Sequence, residues 1–273
     1  MTTGFGQRTR DYVRKHPVAS LDTVGAQFVM GVRAVYWLVA DIATGQFRFW
    51  EFVRQAAFMV KTSWLPTLAV ALPISATLSI QFGLVAGQVG ATSLAGAASG
   101  LAVIRQAAPV VTAMLLATAV GSAICADLGS RTIRDEIDAL EVMGLNPLRR
   151  EVVPRVAAGV VVAVGLTGLS AFVGFFASYM FNVYVQDGTP GSFVQTFSSF
   201  ATVSDMWLAV VKAVVFGMIV TIVACQKGLS TKGGPAGVAN SVNATVVASI
   251  VLLMIVNVAF TELYTILFPR ATL

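Results

Sequence analysis

Residues 62–104 pass without a charged side chain, and so do residues 106–126, 156–186, 213–226 and 233–261. A bilayer core about 30 Å thick is crossed by roughly 20 apolar residues in a helix, the conformation that satisfies its own backbone where no water is available. The runs therefore predict about five transmembrane helices, near residues 64–86, 108–126, 156–185, 207–225 and 242–268. Hydrophobic residues are 56% of the chain and charged residues 11%, which places it in the all-α membrane class. The first run is longer than a span requires, and residues 87–100, rich in Gly, Ala and Ser, read as a re-entrant or external segment.

Lys and Arg in short loops mark the side the cell retains. Arg8, Arg10, Arg14, Lys15, Arg33, Arg48, Arg54 and Lys61 precede the first span; Arg131, Arg134, Arg149, Arg150 and Arg155 fall in or beside the 127–155 loop; Lys227 and Lys232 fall in the 226–238 loop. Those fifteen of eighteen basic residues predict a multi-pass protein of the cytoplasmic membrane, N-terminus inside and C-terminus outside. A basic inner face against anionic lipid accounts for the net charge of +5 without nucleic acid.

Residues 1–61 form a separate N-terminal helical region, and residues 62–273 the transmembrane domain. The start lacks the compact apolar core and cleavage site of a signal peptide. From Val24 onward, Phe28, Val32, Val35, Trp37, Leu38, Phe47, Phe49, Trp50, Phe52 and Phe58 alternate with Arg33, Asp41, Arg48, Glu51 and Arg54. Such a pattern suits an amphipathic helix in the headgroup region or one packed on the rest of the protein; either keeps it at the inner interface.

In the loop after the second span, Ile133, Ile137, Leu140 and Gly144 share one helical face while Asp135, Glu136, Asp138 and Glu141 occupy others. Gly144 and Asn146-Pro147 supply a C-terminal cap and a stop. A helix of about a dozen residues is marginal alone in water, so this one packs on the membrane surface, on its own bundle or on a partner.

Three groups of residues carry a resemblance. They are Ala108-Pro109-Val110-Val111-Thr112-Ala113; Gly121-Ser122-Ala123-Ile124 with Asp127-Leu128-Gly129; and the twelve residues from Glu136 to Pro147, followed by Val153-Pro154-Arg155. Together with Gly233-Gly234-Pro235-Ala236-Gly237-Val238, they resemble the MlaE/YrbE family, the permeases of ATP-binding-cassette systems of the Mce and Mla type. The resemblance implies that residues 131–147 hold a coupling helix seated in a groove of a cytoplasmic ATPase, with Arg134, Glu136, Asp138, Leu140, Glu141, Met143 and Gly144 as its contact surface. It further implies a lipid substrate, a second permease subunit, and Mce- or MlaD-type periplasmic substrate-binding proteins on the outer face. Leu78, Gln81, Phe82, Val85, Gln106 and Thr112 are the residues it suggests for the lipid path. Two charges differ from the family pattern: Arg105-Gln106 stands where many members carry Arg-Glu, and Thr118-Ala119 where many carry Gly-Arg. A partner could supply the missing groups, and the resemblance to actinobacterial Mce systems, which pair two different permeases, implies a heterodimer rather than the homodimer of the Mla type.

The driving force comes from elsewhere. Residues 228–233 (Gly-Leu-Ser-Thr-Lys-Gly) lack the order of a phosphate-binding loop. Arg105, Asp127, Lys212 and Glu262 read as lying near span ends and the sole histidine is His16, so neither an ion-coupled drive nor a metal site or enzyme is indicated, and no cofactor is expected. Cys125 and Cys225 read as packing residues, as do the pairs Gly83/Gly87 and Gly96/Gly100. Asn182, Gln186, Asn257 and Glu262 read as outer polar groups satisfied by neighbouring helices, Glu262 with an external partner as its alternative. A membrane scaffold without a lipid path remains the alternative function; a channel lacks its polar lining.

Overall fold

A computed structural model describes residues 25–88, 90, 92–185 and 189–267. The expectations for Arg8, Arg10, Arg14, Lys15, His16, Gln186, Phe268 and Arg270 lie outside the described residues. The described chain is helical: α1 (Gly25–Ala43), α2 (Phe49–Gln88), α3 (Thr92–Ala102), α4 (Ala108–Leu115), α5 (Ser122–Ile133), α6 (Glu136–Val142), α7 (Val153–Val185), α8 (Pro190–Phe200), α9 (Val203–Leu229) and α10 (Gly234–Leu267). Two π-helical turns, Val103–Ala107 and Leu116–Gly121, join α3, α4 and α5 into one rod, and a third, Leu148–Val152, leads into α7.

The five expected spans are present in α2, the α3–α5 rod, α7, α9 and α10. By length and composition α1 is a sixth helix able to cross a membrane. Helix α2 begins at Phe49 and runs unbroken past residues 61 and 62, so the aromatic segment 49–58 is the extension of a span and not a helix of its own. The segment read as re-entrant or external holds α3, which packs against α8. A Cβ on Gly96 would lie 2.5 Å from Phe193 Cδ2 and one on Gly100 2.6 Å from Phe197 Cδ2, so this pair forms the socket for two aromatic rings. Phe175 of α7 meets both rings, edge-on to Phe193 and tilted to Phe197, with centroids 5.6 and 4.7 Å away. Gly87, by contrast, has no neighbour within 4 Å in the direction a Cβ would take.

In hydrocarbon, helices associate through small residues that let backbones approach and through hydrogen bonds between them. Helix α2 carries such a stripe, for Ser63, Thr67, Ala71, Ser75 and Ser79 recur every fourth residue and are all buried. This stripe packs on α7: Ser79 donates to the Ser178 carbonyl at 3.1 Å, and Ser178 donates to the Ser75 carbonyl at 3.4 Å. Helices α7 and α9 meet through Gly159 and Gly217, where a Cβ on Gly217 would lie 2.8 Å from the Gly159 carbonyl oxygen. The core of Leu116, Val120, Ile124, Val156, Val162, Phe216 and Val220 lies among the rod, α7 and α9. Cys125 and Cys225 are free and fully buried there.

Candidate functional site

Helix α6 stands at the end of the bundle where the rod turns back into α7. It is shorter than the sequence pattern suggests. Asp135 takes a left-handed conformation with φ 56°, which breaks the helix after Ile133, so Ile133 closes α5 and only seven residues form α6. Ile137 is the buried anchor and Leu140 is half-buried, so Leu140 faces its own bundle more than a partner. The C-terminus closes as a Schellman motif: Leu145 N–H donates to the Leu140 carbonyl at 3.0 Å and Gly144 N–H to the Glu141 carbonyl at 2.9 Å. Gly144 sits at φ 74°, a conformation that residues with a Cβ adopt at a cost. Asn146 Oδ1 then accepts from Leu148 N–H at 3.0 Å and starts the next turn.

What projects from this hairpin is mixed in character. Glu136, Asp138, Glu141, Met143 and Gly144 are exposed, and Arg134 pairs with Glu136 at 3.0 Å. Val142, absent from the expected contact surface, is 88% exposed and stands with Met143 and Leu145 as an apolar tip. Its signal was in the sequence: with Ile137 and Leu140 turned inward, residue 142 falls on the opposite side of the helix.

Two arginines tie the base of this hairpin to the bundle. Arg155, only 2% exposed, reaches Glu151 at 2.6 Å and Asp127 at 2.8 Å, while Arg131 reaches Asp127 at 3.2 Å and Glu151 at 3.3 Å. The last turns of α5 and the first of α7 are therefore fastened by a closed ring of two cations and two carboxylates. Arg149 binds Asp41 at the end of α1 at 2.6 Å, donates to Gln46 Oε1 at 2.7 Å, and lies over the Trp37 ring at 5.2 Å.

A second polar cluster lies toward the opposite end of the bundle. Lys212 does not lie at a span end: it is nine residues into α9, roughly 13 Å along the helix, and 1% exposed. Its ammonium donates to Gln106 Oε1 at 3.1 Å, Asn257 Oδ1 at 3.1 Å, Thr261 Oγ1 at 3.0 Å and the Arg105 carbonyl at 3.3 Å. Sequence accounts for the last bond, because Pro109 has no N–H to offer the carbonyl four residues before it, which is that of Arg105. Nearby, Asp205 forms a capping box with Thr202, pairs with Arg105 at 2.6 Å and accepts from Tyr264 Oη at 2.9 Å. Asn257 thus has the helix partner expected of it, and Glu262 is exposed.

The ammonium is held by neutral oxygens, one of them on Gln106, where many members of the resembled family carry a carboxylate. Gln106→Glu is expected to raise the thermal unfolding midpoint in detergent by giving that ammonium a charged acceptor. Lys212→Met is expected to lower stability by about 1–3 kcal/mol, since the oxygens it serves lose their donor.

The residues suggested for a lipid path do not converge. Leu78 and Phe82 are half-buried on α2, Gln81 and Val85 face outward, Gln106 is occupied by Lys212, and Thr112 is buried and shares a 3.0 Å hydrogen bond with Ser170. The apolar grooves lie elsewhere, between α7 and α9 and between α9 and α10. Among the described residues no three His, Cys, Asp or Glu side chains gather as a metal site would require.

The profile of the family described as permease MlaE matches residues 52–263, from the first helical turns of α2 to the end of α10. A probable ABC transporter permease protein of Synechocystis sp. is 36% identical over 168 residues, 62% of this chain and 64% of its own length. A protein of the same description in Rickettsia conorii is 28% identical over 78% of this chain and 82% of its own length. The chloroplastic protein trigalactosyldiacylglycerol 1 of Arabidopsis thaliana is 28% identical over 70% of this chain and 55% of its own. The chain thus spans just under two thirds of the Synechocystis protein and about four fifths of the Rickettsia one. The matched span takes in the α6 hairpin, the arginine ring and the Lys212 cluster alike, and the chain belongs to the MlaE permease family, as a membrane permease subunit of an ATP-binding-cassette transporter.

Proposed function

We propose that this subunit moves lipid across the cell envelope, driven by a separate cytoplasmic ATPase that docks on residues 131–147. The observation that carries the reading is the α6 hairpin: a capped helix anchored inward by Ile137 and Leu140, presenting Val142 and Met143 at its tip and Glu136, Asp138 and Glu141 around it. An apolar knob rimmed by charge suits a groove on a partner, with the knob supplying affinity and the rim orientation. In this reading α6 faces the cytoplasm of a cell with an inner membrane, and the α3/α8 end faces outward toward Mce-type substrate-binding proteins. A second permease subunit, different from this one, completes the transporter. Lipid as substrate is supported by the apolar grooves at membrane depth and by the Arabidopsis relative, whose name is that of a diacylglycerol lipid.

The test is recovery of an ATPase from membrane extract on the immobilised full chain, unmodified, as Glu136→Lys/Glu141→Lys, and as Val142→Asp/Met143→Asp. All four side chains are exposed, so unfolding midpoints are expected to be unchanged. Recovery is expected to fall at least about tenfold in either pair, the effect of losing one well-packed contact. Equal recovery on all three rejects docking at this hairpin. Transport lost on Gln81→Trp with the complex intact would count against a scaffold without a lipid path.

A further inference from the structure

A pocket of about 370 Å³ opens at the α6 end of the bundle, between the early turns of α2 and α5. Phe58, Ala123 and Ile124 give it an apolar side; Arg54, Asp127 and Arg131 give it a charged one, together with the buried Arg155. Its level is set by the sequence. The charge-free run 106–126 ends between Ile124 and Asp127, and the run on α2 begins at Thr62, just beyond Phe58. The pocket therefore spans the boundary between hydrocarbon and headgroups, where an amphipathic ligand meets both of its sides.

The ion pairs leave particular groups unspent. Among the described residues Arg54 donates from Nη2 to Glu51 and from neither Nε nor Nη1, while Arg131 donates from Nε to Asp127 and from Nη1 to Glu151 but not from Nη2. A guanidinium has five N–H donors, so both retain capacity for a further acceptor. Glu51 and Glu151 are largely covered, and Asp127 is the most open of the three carboxylates. Arg54, Arg131 and Arg155 balance Glu51, Asp127 and Glu151, so the cluster carries no net charge and offers two poles instead: spare guanidinium donors and an open carboxylate. The geometry points to a site for the headgroup of a zwitterionic phospholipid with a primary ammonium, of the phosphatidylethanolamine type. Arg54 and Arg131 bond the phosphate, Asp127 takes the ammonium, and the first carbons of the acyl chains lie over Phe58, Ala123 and Ile124. Inorganic phosphate would use the donors alone and leave the apolar side bare. This goes beyond the proposed docking of an ATPase and stands without it, because the test uses the permease chain alone.

The test is photo-labelling of the full chain in phosphatidylcholine nanodiscs by three phospholipids that share an acyl chain with a diazirine near its ester and differ in the head: ethanolamine, choline or glycerol. Adducts are mapped by mass spectrometry to residues 54–58 and 123–127. The ethanolamine lipid is expected to label them about tenfold more than either other, the selectivity one charge-assisted hydrogen bond supplies. Choline has no N–H to give Asp127, and glycerol has no cation. Asp127→Asn is expected to equalise the three. Because Asp127 also belongs to the arginine ring, Arg54→Gln is the second variant: its side chain is two-thirds exposed and its one ion pair is with Glu51, three residues away, so the unfolding midpoint is expected to be unchanged. Labelling by the ethanolamine lipid is expected to fall about fivefold in that variant, the loss of one net hydrogen bond, and millimolar inorganic phosphate is expected not to displace it from the unmodified chain. Equal labelling by the three lipids, labelling unaffected by Arg54→Gln, a preference that survives in folded Asp127→Asn, or displacement by inorganic phosphate overturns the assignment.

Discussion

Arg155→Met is expected to cost about 3–5 kcal/mol of stability, the penalty for taking one partner out of a buried ion network and leaving the others uncompensated. Arg155 is 2% exposed and is the shortest-range partner of Glu151, itself 13% exposed. Asp127, at 44%, reaches water, so most of the cost falls on Glu151. Methionine keeps the aliphatic bulk, which isolates the charge from the packing. The unfolding midpoint in detergent measures it, and the Arg155→Met/Glu151→Gln pair is expected to recover a large part of the loss. If the double variant is no better than the single one, Arg155 holds α7 by packing and not by charge. Arg131 alone does not replace it, because its contacts to the same carboxylates are 3.2 and 3.3 Å and it is one-third exposed.

Gly217→Leu is the second large effect. A Cβ there would sit 2.7 Å from the Ala163 Cβ and 2.8 Å from the Gly159 carbonyl oxygen, so the obstacle is backbone that has no rotamer to change. Helices α7 and α9 must separate, and their packing is what holds them together in lipid. Overpacking a core costs about 1–3 kcal/mol where neighbours can yield, and the expected loss is at or above the top of that range. The readout is the fraction of monodisperse protein on size exclusion after mild heating. Gly165→Leu is the control: it faces open space, and its effect is expected within about 0.5 kcal/mol. Comparable losses in both variants would assign the damage to insertion into the membrane and not to this crossing.

The five spans that hydropathy announces are all present, because a span is a local property of length and apolarity, while α1, interrupted by charge, was not counted among them. The cap at Gly144 and Asn146 was legible for the same reason: its hydrogen bonds close within six residues. Most of the failures are long-range. Lys212 reads as a residue near an apolar boundary until Gln106, Asn257 and Thr261, far off in sequence, are seen to gather around it. The α2 stripe from Ser63 to Ser79 was visible as a period of four, but small residues score weakly in any apolar average, and that average hides which face is inward. The break at Asp135 was missed because a left-handed aspartate leaves no mark in a hydrophobic pattern. On α6 the side chains turned to the bundle could be found by periodicity, while Val142 had to be inferred from what periodicity left over.

The Arg149 contacts join the N-terminal helix α1 to the middle of the chain. Asp41 and Trp37 close α1, and Arg149 opens the turn that leads from α6 into α7, so the first helix and the third long one share a hinge pin. Arg149 thereby adds a charged link at the end of α1 to the packing of Met30, Gly31 and Ala34 on the bundle, so α1 is held at its polar end to the turn that opens α7 as well as through the core.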